Sequence, residues 1–510
     1  MEAFYITTPI YYPNAPPHIG HAYTTIFADV LARYSRLVGR DTFFLTGTDE
    51  HGLKIQRMAE KLGKHPKDLV DEMAQVYRTY WSSLNISYDY FIRTTDPSHE
   101  EVVKKTFTEI HRKGLIYKSK YSGLYCVECE KYYSPGEYVE VEGKPHCPIH
   151  NKPLEYLEEE TYYFKLSEFT EYLKKLFSEP GIIYPDQYRR EVLSKIENEG
   201  LRDISVARPV ERVWWGIQVP FDEKYVIYVW FDALLNYLSG IGYGVDEERF
   251  RKYWATAHHV IGKDILWFHT AVWFSMLKAL DLPPPRKVLV HAYLINRGLK
   301  IGKSAGNVIP IEELVSRYGG SDGARYVIMR LFNMEKDSEV SFELMDSIYV
   351  SELADNYGNL IRRVGSLIMK KTGGKVYKRT LEKQVSEALE TAVSAFEKAL
   401  GDFDVAKALS IAMELARIGN QLVNEWRPWE KPNPSKELYN IAEIIRFTTL
   451  LLHPVIPSST ARVANSFGFQ IENPLKATPG GLERFNVSEA PILFSKAAAK
   501  KSGEKEEQGK

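Results

Sequence analysis

The sequence is poor in cysteine and has no surplus of charge of either sign. It contains 3 cysteines in 510 residues, and 66 lysines and arginines nearly balance 67 aspartates and glutamates. All three cysteines fall in one short segment, which argues against a disulfide framework. The charge balance argues against a histone-like polycation, although a local basic groove remains compatible with it.

Long apolar runs are also missing. None reaches the ~18 residues that a membrane-spanning helix needs, and the N-terminus, MEAFYITTPIYY, lacks the basic and apolar regions of a signal peptide. We therefore expect a cytoplasmic protein without membrane association. Hydrophobic residues make up 44% of the chain, which is enough for sizeable cores in about three domains.

Strand and helix patterns alternate near the N-terminus. FYITT, residues 4–8, is typical of a buried strand, and from Gly20 apolar residues recur at four-residue spacing until Gly39 ends the helix. A second strand, DTFFLTG, follows. This β–loop–α–β unit predicts a parallel sheet, whose ligands bind beyond the carboxyl ends of the strands.

The order of patterns predicts an α/β fold: a Rossmann-like parallel-sheet catalytic domain, split by an insertion and followed by an α-helical bundle. The Tyr-rich, turn-rich insertion carries the cysteines, and the bundle is amphipathic at helical period. The predicted segments are 1–115 (catalytic, first half), 116–208 (insertion), 209–320 (catalytic, second half), 321–347 (linking segment), 348–495 (helical bundle) and 496–510 (charged, disordered tail).

The motif HIGH, residues 18–21, opens the first helix of this predicted sheet. A helix start presents N–H groups and the positive end of the helix dipole, which together attract anions. Gly20 would let a phosphate approach the backbone, and His18 and His21 could donate hydrogen bonds to a polyphosphate. Taken alone, the motif could equally be two surface histidines at a helix start.

The motif KIGKSAGN, residues 300–307, lies between a predicted strand and a predicted helix. Taken alone, it could be a solvated surface loop. A flexible loop with two cations, Lys300 and Lys303, could also fold over bound phosphates. There it would stabilise negative charge that develops during a reaction, where positioning and electrostatics dominate the catalysis.

The cysteines follow the spacing of a metal site. Cys126-x-x-Cys129 is followed, ~20 residues later, by Cys147-x-x-His150, as in zinc sites built from two paired-ligand turns. Four protein ligands leave no open coordination position, so one Zn²⁺ would have a structural role. His146 is an alternative fourth ligand, although the spacing favours His150.

Together, the order and context of HIGH and KIGKS resemble the two signatures of class I aminoacyl-tRNA synthetases. The second departs from the family pattern K-M-S-K-S at Ile301 and Gly302, and Gly302 would loosen the loop. Nearly the whole chain is similar to the methionine–tRNA ligase family, through stretches such as YITTPIYYPNAPPHIGHAYTT, FFLTGTDEHG, YVWFDALLNY and HVIGKDILWFH. The resemblance implies ATP-dependent attachment of methionine to tRNA(Met) through methionyl-adenylate, with Mg²⁺ accompanying ATP and release of pyrophosphate and AMP.

The resemblance also implies roles for individual residues. The expected catalytic residues are His18, His21, Lys300 and Lys303; the expected ATP contacts are Gly20, Gly262, Asp264 and Ser304; and the expected methionine contacts are Pro9, Ile10, Tyr12, Asp49, Trp230, Leu234, Tyr237, Ile265 and His269. Asp49 would pair with the substrate ammonium, Asp264 would hold the ribose, and Trp273 would lie behind the pocket. Aromatic neighbours suit the polarizable thioether of methionine, but each aromatic residue could also simply be core.

In the predicted bundle, the resemblance implies an anticodon-binding site made of Asn359, Arg363 and Trp429. Asn359 and Arg363 are spaced to share one helix face, and single-stranded RNA is usually read by such polar groups with an aromatic ring that stacks on a base. The alternatives are a helix cap, a surface charge and a core residue. We expect a monomer that binds ATP, methionine and tRNA(Met), with a separate tRNA-binding protein as a further candidate partner.

Two other functions fit parts of the same pattern. A cysteine-specific or other class I synthetase would share both motifs, but zinc in cysteine enzymes reads the substrate thiol, whereas four protein ligands leave no vacancy here. An adenylating enzyme without tRNA, or a catalytically silent RNA-binding protein, is the third possibility. The predicted bundle argues against the former, and two intact motifs argue against the latter.

Overall fold

The computed structural model describes residues 2–127, 131–133, 136–149, 151–302 and 306–496. Four residues with predicted roles therefore lie outside the described residues: Cys129, His150, Lys303 and Ser304.

The two longest strands, Ile116–Cys126 and Glu155–Phe164, lie outside the central sheet. In chain order the strands are β1 (Ala3–Tyr11), β2 (Asp41–Thr48), β3 (Tyr90–Arg93), β4 (Ile116–Cys126), β5 (Lys131–Tyr133), β6 (Val139–Val141), β7 (Lys144–His146), β8 (Glu155–Phe164), β9 (Ile183–Tyr184), β10 (Ile204–Ser205), β11 (Ala207–Pro209), β12 (Gln218–Val219), β13 (Asp222–Ile227), β14 (Ala257–Gly262), β15 (Lys287–His291), β16 (Leu294–Asn296), β17 (Leu299–Lys300), β18 (Ser338–Glu339), β19 (Lys375–Tyr377) and β20 (Arg484–Asn486).

Helices surround the sheet and make up most of the C-terminal third. The α-helices are α1 (Ile19–Leu37), α2 (Leu53–Leu62), α3 (Pro66–Ser83), α4 (Pro97–Arg112), α5 (Thr170–Ser178), α6 (Asp186–Glu199), α7 (Val229–Leu234), α8 (Asn236–Ser239), α9 (Glu247–Trp254), α10 (Trp273–Ala279), α11 (Ile311–Arg317), α12 (Ser321–Arg330), α13 (Phe342–Ile348), α14 (Asn359–Thr372), α15 (Lys383–Gly401), α16 (Val405–Trp426), α17 (Ser435–Leu452) and α18 (Pro457–Phe467). Phe268–Val272 and Tyr349–Gly358 are π-helical, and Leu166–Phe169 and Lys263–Ile265 are 3₁₀-helical. None of the described helices is long and apolar enough to cross a membrane.

The fold is α/β, around a six-stranded parallel sheet in the order β3–β2–β1–β14–β15–β9. From β1 the chain proceeds outward to β2 and β3, and from β14 it proceeds the other way to β15. The crevice where the strand order reverses is therefore between β1 and β14, which is where ligands of such sheets bind. The sheet is buried on both faces, because one apolar core contains Ile6 and Phe44 and a second contains Tyr5 and Leu45.

The segment predicted as an insertion is more closely tied to the sheet than its sequence suggests. Its antiparallel part, β10–β8–β4–β5, stands apart from the central sheet, as does the β6–β7 hairpin. However, β9 returns to the central sheet as its edge strand, where Ile183 pairs with Val288 of β15. Two residues of strand carry too little periodicity to be recognised in a sequence.

The C-terminal helices share a core with one face of the sheet. Leu360 of α14, Leu409 of α16 and Ile444 of α17 belong to the same buried cluster as Ile19 and Tyr23 of α1. The helix that carries the HIGH motif is therefore packed into the core that the bundle also fills.

Candidate active site

The histidines of the HIGH motif cap α1. Nδ1 of His18 accepts the Gly20 backbone N–H at 3.1 Å, and the His18 backbone N–H donates to Nδ1 of His21 at 3.1 Å. This reciprocal capping box satisfies N–H groups that a helix start otherwise leaves unpaired. Because both Nδ1 atoms accept, each neutral imidazole carries its proton on Nε2. The motif thus places two N–H donors at the positive end of α1.

Position 20 requires glycine for this arrangement. A Cβ atom there would lie 2.9 Å from Cε1 of His18, closer than side chains pack. The ring centroids of His18 and His21 are 4.1 Å apart, and the His21 ring meets Tyr11 edge-on at 5.1 Å. A side chain at position 20 would therefore displace the His18 ring from its cap.

The start of α1 meets the chain that follows the lysine motif. The Ile19 N–H donates to the carbonyl of Ile309 at 3.1 Å, and His18 forms an antiparallel bridge with Pro310. The structure therefore brings the HIGH motif beside the downstream flank of KIGKSAGN, although the two are far apart in the sequence.

Lys300 lies at the end of the hairpin formed by β16 and β17. Its Nζ is 3.0 Å from Oδ2 of Asp264 and 3.8 Å from the centre of the Tyr293 ring. The side chains of Lys300 and Asp264 are 49% and 48% exposed, and such surface pairs add little to stability. A nucleotide that paired with Lys300 or with Asp264 would therefore break this ion pair at little cost in free energy.

Asn307 closes the base of the lysine loop. Its Oδ1 accepts the Gly302 N–H at 3.0 Å, and its Nδ2 donates to the Lys300 carbonyl at 3.3 Å. Ile301 is buried in the core and donates its N–H to Leu294 at 3.1 Å. Both departures from the family pattern are thus held in place: Ile301 by the core and Gly302 by Asn307. The sequence contains Asn307 in the motif, but its contacts become visible only in the structure.

Gly262 ends β14 and leaves room for Asp264. A Cβ atom at position 262 would lie 2.7 Å from Oδ1 of Asp264 and 3.5 Å from the ring of His291. His291, at the end of β15, is buried and lies 2.8 Å from the hydroxyl of Thr24 on α1. The carboxyl ends of β14 and β15 therefore meet the first turns of α1, next to the crevice of the sheet.

An aromatic cluster of Trp230, Tyr237, Phe268 and His269 occupies the other side of the region around the crevice. The Tyr237 hydroxyl donates to Nε2 of His269 at 2.7 Å, and Nδ1 of His269 donates to the carbonyl of Ile265 at 3.0 Å. Trp230 stacks on Phe268 at 4.1 Å and meets His269 edge-on at 5.9 Å. Phe268 was not predicted as a site residue, although it directly precedes His269 in an aromatic stretch.

His269 is neutral in this environment. Burial lowers its pKa to about 4, because a charged imidazole there would lose its hydration. The neutral tautomer accepts at Nε2 and donates at Nδ1, which fixes the orientation of the Tyr237 hydroxyl. The cluster is therefore apolar except for one satisfied hydrogen-bond chain.

Leu234 and Tyr237 of the predicted pocket are buried, as is Trp273, which was predicted to lie behind it. Leu234 and Tyr237 are each 1% exposed, and Trp273 is 0% exposed. Tyr237 stacks on His259 at 4.1 Å and lies 5.9 Å from Trp273. These side chains form a wall that is rigid because it is packed on all sides.

The ends of β1 and β2 bring Asp49 and Tyr12 together. The Asp49 N–H donates to the carbonyl of Tyr11 at 2.9 Å, and the Tyr12 hydroxyl donates to the carbonyl of His51 at 2.9 Å. Asp49 is buried at 7% exposure. A buried carboxylate at the carboxyl end of a parallel strand suits a cationic ligand group.

Pro9 and Ile10 lie where the pairing of β1 with β2 becomes irregular. The register shifts between Thr7 and Ile10, and such bulges redirect side chains near functional sites. The Pro9 carbonyl accepts the Thr8 hydroxyl at 2.8 Å. Ile10 packs against the same apolar core as Trp230, so it connects the Asp49 side of the region with the aromatic cluster.

The two described cysteines lie in one small buried cluster with Tyr133 and Leu154. The Tyr133 hydroxyl is 3.3 Å from Sγ of Cys147, and the Cys147 N–H donates to the Lys152 carbonyl at 2.8 Å. Cys126 is 1% exposed and Cys147 0%. The described residues contain no metal-binding group of three or more His, Cys, Asp or Glu, and this leaves the predicted quartet untested because Cys129 and His150 are not among them.

In the helical region, the structure brings Arg363 of α14 beside Trp429. The guanidinium carbon lies 5.0 Å from the centre of the Trp429 ring, which is 37% exposed. Nη1 of Arg363 donates to Oδ1 of Asn424 on α16 at 2.6 Å. Asn359 is exposed at the start of α14. Asn424 was not predicted from the sequence.

The fold and these sites define a class I aminoacyl-tRNA synthetase: a parallel sheet with HIGH at its first helix and a lysine motif after β15. The family model "tRNA synthetases class I (M)" matches residues 4–151 and 139–365. The chain belongs to the methionine–tRNA ligase family. It is 41% identical over 480 residues to the methionine–tRNA ligase of Caldanaerobacter subterraneus subsp. tengcongensis, covering 92% of this chain and 74% of the relative. It is 38% identical to that of Streptomyces coelicolor, covering 92% and 90%.

Solved structures agree with this assignment. The Mycobacterium tuberculosis methionyl-tRNA synthetase in complex with methionyl-adenylate matches with a TM-score of 0.89 and 34% identity, covering 96% of this chain and 99% of that one. The apo form of the same synthetase matches with a TM-score of 0.81 and 32% identity, covering 97% and 98%. The expected family and the α/β fold class are thereby confirmed.

Proposed function

We propose that this chain is an ATP-dependent methionine–tRNA ligase. It joins methionine to ATP, releases pyrophosphate, and transfers the methionyl group to the terminal ribose of tRNA(Met), releasing AMP. The observation that carries this function is the aromatic pocket of Trp230, Tyr237 and His269, across the sheet from the HIGH cap, in a chain with 41% identity to a curated methionine–tRNA ligase.

The phosphate groups of ATP would bind at the start of α1. The Nε2–H groups of His18 and His21 would donate to them, and Lys300 and Lys303 would approach from the other motif. Mg²⁺ would accompany ATP. Negative charge develops on the α-phosphate and the departing pyrophosphate, and donors already in place stabilise it without reorganisation. Gly20, Gly262 and Ser304 would contact the nucleotide. Asp264 would release Lys300 and accept hydrogen bonds from the ribose hydroxyls instead.

Methionine would bind between Asp49 and the aromatic cluster. The Asp49 carboxylate would pair with its ammonium group, with Pro9, Ile10 and Tyr12 alongside. Trp230, Leu234, Tyr237, Ile265 and His269 would line the thioether, which favours aromatic neighbours. This pocket argues against a cysteine-specific enzyme, because a thiol on one methylene would leave much of its apolar wall uncovered.

One structural Zn²⁺ would be held by Cys126, Cys129, Cys147 and His150. The support is that Cys126 and Cys147, one from each predicted ligand pair, are buried in one cluster, and that thiolates are preferred zinc ligands. When bound, the ion would cross-link the turns of the insertion. Metal analysis should find one zinc per wild-type chain, and its loss from Cys147→Ser, with methionine activation retained, would separate this role from catalysis.

The anticodon of tRNA would bind at Asn359, Arg363 and Trp429. An exposed indole beside the Arg363 guanidinium, which Asn424 anchors, offers stacking and hydrogen bonding to an unpaired base, and Asn359 is exposed at the start of the same helix as Arg363. The domain limits, the monomeric state, the separate tRNA-binding partner and the cytoplasmic location remain predictions from the sequence.

Two assays test this function. ATP–pyrophosphate exchange with a panel of amino acids should respond to methionine and not to cysteine, isoleucine or leucine. Charging of total tRNA should incorporate labelled methionine. Exchange that depended on another amino acid, or no charging by an enzyme that is active in exchange, would contradict the proposal.

A further inference from the structure

A buried carboxylate, Asp232, joins two histidines from separate parts of the chain. Its Oδ2 lies 2.7 Å from Nδ1 of His51, and its Oδ1 lies 2.7 Å from Nε2 of His99 on α4. The side chains of Asp232, His51 and His99 are 1%, 5% and 0% exposed. None of the three was predicted to touch a substrate.

The protons in this triad are assigned by its hydrogen bonds. An ionised carboxylate only accepts, so His51 donates from Nδ1 and His99 from Nε2, while Nδ1 of His99 meets the Ser239 hydroxyl at 2.8 Å. Burial alone would raise the pKa of Asp232, but the charge of His51 and the two N–H bonds hold it below its usual value. Burial alone would likewise lower the pKa of His51, but Asp232 raises it. Both hydrogen bonds are therefore charge-assisted and strong.

The triad links the two sides of the proposed methionine site. Asp232 lies on α7 between Trp230 and Leu234, which belong to the aromatic wall. His51 closely follows Asp49, and its carbonyl accepts the Tyr12 hydroxyl. The carboxylate thus ties the wall that would hold the thioether to the loop that would hold the ammonium group.

We infer that Asp232, through His51 and His99, is a positioning residue that sets the distance between the two ends of the methionine site. This inference rests on the proposed function and deepens it. A substrate held at both ends binds well only if those ends keep their spacing, and slack of about 1 Å weakens both contacts together. ATP would bind at α1 and the lysine loop, and would touch neither end.

The main test is Asp232→Asn in the full-length enzyme. The amide keeps one acceptor but replaces the other with N–H groups, so one imidazole must face a donor or change tautomer, and in either case its charge-assisted bond is lost. We expect KM for methionine in ATP–pyrophosphate exchange to rise on the order of tenfold, with KM for ATP changed less than about twofold, which is within the scatter of a surface substitution.

Substitutions at the histidines supply a rescue series. An asparagine at position 51 places an amide N–H near the position of Nδ1, and a glutamine at position 99 places one near that of Nε2. We expect His51→Asn and His99→Gln to keep KM for methionine near the wild-type value, and His51→Leu and His99→Leu to raise it. This series tests the inference even if Asp232→Asn fails to fold.

Asp29→Asn is the matched control for buried charge. Asp29 is also fully buried and pairs with Arg33 at 2.8 Å and Arg325 at 2.7 Å. It lies on α1, which packs in a different core from the aromatic wall. The Asp29→Asn substitution should lower the melting temperature without raising KM for methionine. Glu100→Gln controls for the weak contact, at 4.0 Å, on the other nitrogen of His51, and should leave both KM values unchanged.

Each outcome is decisive. If Asp232→Asn lowered the melting temperature as Asp29→Asn does, with KM for methionine unchanged, the triad would be only structural and the inference overturned. Equal rises in both KM values, or no difference between the Leu and the Asn or Gln variants, would overturn it too. A wild-type enzyme without methionine-dependent exchange would instead refute the proposed function.

Discussion

The catalytic region and the helical region hold their proposed binding side chains in different ways. At the end of the sheet, His18 and His21 are fixed by backbone N–H groups, and Tyr237 by a buried histidine. In the bundle, Arg363 covers an exposed Trp429 and is anchored by Asn424. A small substrate thus meets a preassembled site, whereas an RNA base would have to share or displace the guanidinium. Pyrophosphate exchange needs only the first region and tRNA charging needs both, so the two assays separate them.

The largest effect should come from His21. In His21→Ala, the Nε2–H donor to the phosphates is lost, and we expect exchange and charging to fall together by about 10²–10³-fold, as for other donors that stabilise developing charge. His21→Asn should be nearly as slow, because its amide oxygen can still accept the His18 N–H but does not reach as far as Nε2. Initial rates of methionine-dependent exchange measure both variants.

His65 provides the control for that prediction. It caps α3 in a similar way, since its Nδ1 accepts the Lys67 N–H at 3.2 Å. His65→Ala should cost about 1 kcal/mol of stability through the lost cap, without slowing exchange. If His65→Ala were as slow as His21→Ala, capping alone would explain the effect and the phosphate role of His21 would be lost.

Acid sensitivity should be a property that the two regions share. His269 beside the sheet and His453 after α17 both have a pKa lowered to about 4, in each case chiefly by burial. An unfolded histidine binds its proton near pH 6.5, so stability is full above that value and is lost as the pH falls from about 6.5 to 4. For His269 the loss approaches about 3 kcal/mol.

Thermal unfolding measured between pH 4 and 7 tests whether stability falls with decreasing pH as expected. His269→Gln and His453→Gln should each flatten the pH dependence of the melting temperature, in one region each. A slope that neither substitution reduced would show that other groups control the acid sensitivity.

What could be read from the sequence also differs between the regions. The position of HIGH at a helix start was predictable because the helical pattern begins beside it in the chain, whereas the reciprocal cap of its two histidines was not predicted. The contacts of Phe268 with Trp230, of Asp232 with two histidines, and of Asn424 with Arg363 were not. They join segments that no periodicity relates, and they depend on how the elements pack.

Trp429 should separate the assays in the opposite direction from His21. Removing a ring that stacks on a base costs about 1–3 kcal/mol, so Trp429→Ala should raise KM for tRNA in charging by about tenfold or more while exchange stays unchanged. Trp214, an exposed indole in the catalytic half at 44% exposure, is the matched control. Trp214→Ala should leave KM for tRNA near the wild-type value, and an equal rise in both variants would contradict a site-specific role for Trp429.

The smallest effect should come from Asn424, which tests whether Arg363 needs its anchor. Without the bond to Oδ1 of Asn424, the guanidinium keeps only its place over the Trp429 ring, where it is partly exposed and can adopt other rotamers. A hydrogen bond to a charged group contributes about 1.5–3 kcal/mol when protected and less at a surface, so Asn424→Ala should raise KM for tRNA about three- to tenfold, with exchange unchanged. Asn424→Asp keeps an acceptor for Arg363 but adds a negative charge near the RNA. If Arg363 only has to be anchored, the aspartate variant should bind tRNA better than the alanine variant; if the Asn424 amide itself contacts the base, the aspartate variant should be the worse of the two.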